Sequence, residues 1–122
     1  MKELTKAEEQ IMQILWQIEK GFVNDVLNNL PDPKPAYNTV STVIRILEQK
    51  GFVGHKAYGK THEYFPLVTK SDYTVSLMSG VMKNYFGGSF KQMVSFFADG
   101  NNISLSELDE VKKTIEEQIK KR

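Results

Sequence analysis

The chain has 122 residues, the length of one ordinary domain or two small ones. Hydrophobic residues make up 40% and charged residues 25%, the balance of a folded chain rather than a disordered one. With 16 Lys+Arg against 15 Asp+Glu the formal net charge is +1, so any affinity for nucleic acid must come from where the charges sit. The absence of cysteine excludes disulfides, thiolate metal centres and thiol nucleophiles. No apolar run approaches the ~18 residues of a membrane span, and Met1-Lys2-Glu3-Leu4-Thr5 lacks signal-peptide character. A cytoplasmic protein without membrane insertion is expected.

Thr5 followed by Glu8 predicts a capping box, and Ala7, Ile11, Ile14, Leu15 and Ile18 form the apolar stripe of a first helix closed by Gly21. A shorter helix is predicted over residues 23–30, with Val26, Leu27 and Leu30 inward. Pro31, Pro33 and Pro35 end it, because proline lacks the N–H and crowds the preceding turn. A third helix is predicted over residues 37–50, with Val40, Val43, Ile44 and Leu47 at i, i+3, i+4, i+7 as its buried face and Gly51 as its end. Residues 52–57 and 61–65 favour β structure and flank Tyr58-Gly59-Lys60, which predicts a hairpin ending at Pro66.

Helical patterns resume beyond residue 70. Ser71 is the expected cap of a segment reaching Phe86, broken by Gly87-Gly88. Ser89 caps a second segment, Asp99-Gly100-Asn101-Asn102 reads as a loop, and Ser104 with Glu107 predicts another capping box before the last helix. The fold class is mainly α with a small β-hairpin. It divides into a winged helix-turn-helix over residues 1–69 and a helical dimerisation domain over 70–122. The second part is too small and too rich in apolar side chains to close a core alone. Leu77, Val81, Phe90, Met93, Phe97, Leu108, Val111 and Ile115 are therefore expected at a contact with a second copy.

Three helices followed by a hairpin is the layout in which the third helix enters the DNA major groove and the hairpin lies against the backbone. The outward side of the third helix offers Asn38, Thr39, Ser41, Thr42 and Arg45. Arg pairs bidentately with guanine, Asn with adenine, and Thr presents a methyl group to thymine. Lys56, Tyr58, Lys60 and Thr61 on the hairpin, and Lys6 at the start of the first helix, are the expected backbone contacts. Between Tyr37 and Thr61 four basic residues (Arg45, Lys50, Lys56 and Lys60) face one acid, Glu48, a local +3 on a nearly neutral chain. A winged-helix module that docks a protein instead of DNA fits the same layout. His55 and His62 have no evident third ligand, so no metal and no cofactor are expected. No phosphate-cradling glycine loop, HExxH motif or Ser–His–Asp spacing is present, so an enzyme is not expected.

The stretches Leu4–Trp16, Tyr37-Asn38-Thr39-Val40-Ser41-Thr42-Val43-Ile44-Arg45-Ile46-Leu47 and Lys50-Gly51-Phe52-Val53 resemble the penicillinase repressor family, the BlaI/MecI/CopY type. The resemblance is dense over residues 4–68 and continues to the C-terminus in helix layout more than in identities. It implies a homodimeric repressor whose winged helices each take half of a palindromic operator with TACA/TGTA-like elements. It further implies a C-terminal dimer contact and, in the β-lactam-responsive branch, release through a membrane sensor–protease that cuts an Asn–Phe bond. The corresponding pair here is Ser95-Phe96, so the asparagine does not carry over. The copper-responsive branch uses a cysteine-rich motif, which a chain without cysteine lacks.

Overall fold

A computed structural model describes residues 1–122. The elements are α1 (Lys6–Ile18), α2 (Val23–Asn28), α3 (Tyr37–Gln49), β1 (Val53–Tyr58), β2 (Thr61–Pro66), α4 (Lys70–Phe86), α5 (Phe90–Asp99) and α6 (Leu105–Lys121). They form two compact units, Met1–Leu77 and Met78–Arg122.

In the first unit the expected capping box is present. Glu8 N–H donates to Thr5 Oγ1 at 3.2 Å, and Thr5 N–H donates to Glu8 Oε1 at 2.8 Å. Ile11, Met12, Ile14 and Leu15 are buried, whereas Ala7, expected in the stripe, is exposed. The left-handed residue ending α1 is Glu19, with φ 73°, rather than Gly21. Gly21 instead exchanges two backbone hydrogen bonds with Tyr64, at 2.9 and 2.8 Å, which lays a third segment along β2. A Cβ at Gly21 would meet Ile18 Cδ1 at 2.9 Å and Asp25 Cβ at 3.0 Å, so this close approach needs glycine.

α2 stops at Asn28, short of the expected Leu30. Lys34 Nζ donates to the carbonyls of Leu30 (2.6 Å) and Asn28 (3.3 Å), satisfying groups that helix geometry leaves open. α3 buries Val40, Ile44 and Leu47, leaves Val43 half-buried, and ends at Gly51 with φ 83°. β1 and β2 pair antiparallel from Val53–Pro66 to Tyr58–Thr61. The tip is thus two residues, Gly59-Lys60, rather than the three or four expected. Gly59, with φ 65°, takes the first central position, which type II′ hairpins reserve for glycine.

Fully buried Met12, Leu15, Val26, Ile44, Leu47 and Phe52 centre the core, each worth about 1.5–3 kcal/mol of apolar burial. α4 also contributes. Thr69 Oγ1 accepts from Asp72 N–H at 3.0 Å, so Thr69 rather than Ser71 caps it. Tyr73 is buried, with its ring 5.7 Å from Phe52 and 5.8 Å from Trp16, and Trp16 Nε1 donates to Val68 O at 2.9 Å. Leu77 packs on the same core. The first unit therefore runs to Leu77, past the expected boundary at 69, and Leu77, expected at a dimer contact, is partly buried against this core.

In the second unit Gly87 and Gly88 take positive φ between α4 and α5. Ser89 Oγ accepts from Gln92 N–H at 3.1 Å, and α5 extends through Asp99. Ser104 Oγ accepts from Glu107 N–H at 3.1 Å, which is the forward half of the expected box. Phe86, Phe96 and Phe97 form a chain of ring contacts at 5.6 and 5.5 Å. Yet no residue of α5 or α6 is buried, and Phe96 remains 61% exposed. No helix is long and apolar enough to cross a membrane.

Candidate nucleic-acid interface

α3 has a consistent polar outer strip because its buried residues recur at helical spacing. Asn38, Thr42 and Arg45 are exposed on it, with Thr39 on one flank. Ile46 is an apolar member of the same side, at 37% exposure. Thr42 Oγ1 donates to Asn38 O at 2.8 Å, so its hydroxyl is occupied and its methyl is left for a neighbour. Ser41, expected as a reader, is buried at 7% exposure. Its Oγ accepts from Arg45 Nη2 at 3.2 Å, one helical turn on. Ser41 holds the arginine, and the remaining guanidinium donors stay free to form a fork.

The wing stands beside this strip. Phe22, Asp25, Tyr37, Asn38, Ser41, Arg45, Lys60, Thr61, His62 and Tyr64 line one open groove of about 550 Å³ between α2, α3 and the hairpin. Arg45 and Asn38 on the helix thus share a surface with Lys60 and Thr61 on the wing. Thr61 Oγ1 donates to Tyr58 O at 2.9 Å and closes the tip. Lys56 lies across the strand from Glu63, with its ammonium 5.3 Å from the centre of the Tyr58 ring. Tyr58 also packs 5.9 Å from the ring of Phe22. Lys6 opens α1 in an exposed position, and its neighbour Ala7 shares a cleft with Thr39, which puts the start of α1 alongside the start of α3.

Lys50, counted in the basic stretch, is committed elsewhere. Its Nζ lies 2.7 Å from Glu8 Oε1, with side-chain exposures of 24% and 5%. Burial alone would push the Glu8 carboxyl up. The Lys50 ammonium and the Thr5 N–H and hydroxyl outweigh it and hold the carboxyl below its ordinary value. The basic surface is therefore Arg45, Lys56 and Lys60 without Lys50, while Glu48 is engaged by His55 Nδ1.

Tyr37 and Tyr64 were not singled out by sequence, and His62 was weighed only as a metal ligand, not as part of this groove. His62 and Tyr64 alternate on one strand, so period-two spacing puts both on the face turned to the helices. Burial raises the Tyr64 hydroxyl above its ordinary value, reinforced by Glu48 and opposed by Arg45. Val81, Met93, Leu108 and Val111 are half-buried in the second unit, whereas Phe90, Phe97 and Ile115 are exposed.

The penicillinase repressor family model matches residues 4–117. The methicillin resistance regulatory protein MecI of Staphylococcus aureus (strain N315) is 26% identical over 111 residues, covering 90% of each chain. The penicillinase repressor of Bacillus licheniformis is 24% identical over 116 residues, covering 94% of this chain and 91% of its own. Among solved structures, the DNA-binding domain of the repressor BlaI matches with a TM-score of 0.51 and 27% identity, over 60% of this chain and 94% of that domain. Both full-length relatives are matched through the winged helix and the C-terminal helices alike, and the chain belongs to the penicillinase repressor family.

Proposed function

We propose that this protein is a transcriptional repressor that acts as a homodimer on palindromic operator DNA. The observation that carries this reading is the groove in which Arg45, held by Ser41, and Asn38 meet Lys60 and Thr61 of the wing. Asn38, Thr42 and Arg45 read base edges, and Thr39 fixes register at the start of α3. Lys6, Lys56, Tyr58, Lys60 and Thr61 hold the backbone. Membership of the family, with MecI and the Bacillus licheniformis penicillinase repressor as relatives, supports the regulatory role.

The dimer reading rests on the unburied apolar side chains of α5 and α6. Val81, Phe90, Met93, Phe97, Leu108, Val111 and Ile115 find their cover on a second copy. Two linked half-site modules raise each other's effective concentration and turn two short contacts into useful affinity. Release by a sensor–protease that cuts within α5, near Ser95-Phe96, is the inducing step this arrangement accommodates. Loss of the dimer then lowers affinity without touching the winged helix. The experiment is a gel shift of the full chain on DNA from its own upstream region, repeated at raised salt. A discrete complex that outlasts competitor DNA supports the reading. No complex at low salt overturns it in favour of a protein-docking module.

A further inference from the structure

Two histidines on the wing have no role in the DNA contacts proposed so far. His55 of β1 and His62 of β2 stack face to face, with ring centres 4.1 Å apart and planes 7° from parallel. His55 Nδ1 meets Glu48 Oε2 at the end of α3, so the stack is braced from the recognition helix. His62 lines the groove that Asn38, Arg45 and Lys60 also line. The titratable groups around it are Arg45 and Tyr37 from α3, Asp25 from α2, Lys60 from the tip, Tyr64 from its own strand, and His55 with Glu48 behind it. Asp25 already accepts from Phe22 N–H at 2.8 Å.

We propose that His62 is a further phosphate-contacting residue, presented to the groove by the His55 stack, whose protonation couples DNA binding to proton uptake. The inference rests on the DNA-binding reading. Histidine is the side chain that changes charge near neutrality. A phosphate seated between α3 and the wing attracts an imidazolium and neutralises the Arg45 and Lys60 charges beside it, so the complex favours the protonated ring. The gain is present on the acid side of the histidine range and fades as pH rises through it. The contact is to backbone, so operator and random DNA share it.

The test is fluorescence anisotropy of the full chain on its upstream duplex and on a random duplex, at constant ionic strength, from about pH 6 to about pH 8. Binding to both duplexes is expected to be about 3- to 10-fold tighter at the acid end, the range provided by one linked proton that the complex holds up to about tenfold more tightly than the free protein does. His62→Gln is expected to remove most of that difference, so that its affinities at the two ends of the pH range lie within about twofold of each other. A second readout is the His62 ring proton followed by NMR, whose titration midpoint should move upward on adding duplex. An unchanged pH dependence in His62→Gln, or a midpoint indifferent to DNA, overturns the inference. Failure of the unsubstituted chain to bind at the acid end would instead overturn the DNA-binding reading beneath it.

Discussion

Replacing Lys50 by Met separates scaffold from interface at one residue. The Lys50 ammonium sits 2.7 Å from a Glu8 carboxylate whose side chain is only 5% exposed. Removing one partner of a buried pair costs roughly 3–5 kcal/mol, because the other charge stays behind without compensation. Here Lys50 is 24% exposed and Thr5 N–H still donates to Glu8, which brings the expected loss down to about 2–3 kcal/mol. For a domain of this size that is a fall in Tm of roughly 10–20 °C. Urea unfolding near neutral pH measures the loss, and adding Glu8→Gln should recover more than half of it, since Gln keeps the capping role without the charge. The lowered Glu8 value means the pair stabilises the fold above the usual carboxylate range, and that contribution is lost as pH falls through the lowered value. The Lys50→Met and unsubstituted chains should therefore converge in stability on acidification. The salt dependence of DNA binding should not change, because this cation is spent on α1. A stability loss under about 0.5 kcal/mol, or a shallower salt slope, would refute the argument.

Three further outcomes follow from the same geometry. Ser41→Ala should weaken operator binding by about 0.5–1.5 kcal/mol with little effect on random DNA, and Ser41→Thr should restore it; equal weakening on both would deny Ser41 its hold on Arg45. Lys60→Ala should lower the slope of log affinity against log salt by about one unit, and an unaltered slope would remove Lys60 from the phosphate contacts. Phe97→Glu, at a position 40% exposed in the single chain, should give monomers in sedimentation, whereas an intact dimer would move the interface elsewhere.

Much of the fold is legible in the residues because local rules decide it. The Thr5–Glu8 box, the α3 stripe and Gly51 each act within a few residues of sequence, and the structure keeps them. What sequence missed is long-range. Lys50 looks like part of a basic stretch until the fold brings Glu8, 42 positions away, to its ammonium. Gly21 looks like a helix cap until Tyr64 pairs with it. The boundary moves to Leu77 because Tyr73 fills a place between Trp16 and Phe52 that no periodicity reveals. At the candidate site the same division holds. Helical spacing finds Arg45, Asn38 and Thr42, but it groups Ser41 with them without revealing that Ser41 is buried and its hydroxyl turned to Arg45. The histidine stack needs the hairpin register, which depends on a tip shorter than the three or four residues expected.

In the proposed complex Arg45 reads bases from α3 while the wing holds backbone. The most direct measurement is the ratio of affinities for the upstream operator and for random duplex, at fixed salt, in the unsubstituted chain and in Arg45→Ala. A loss of about 1–3 kcal/mol confined to the operator, collapsing the ratio towards one, is the predicted result. An equal loss on both duplexes would contradict it.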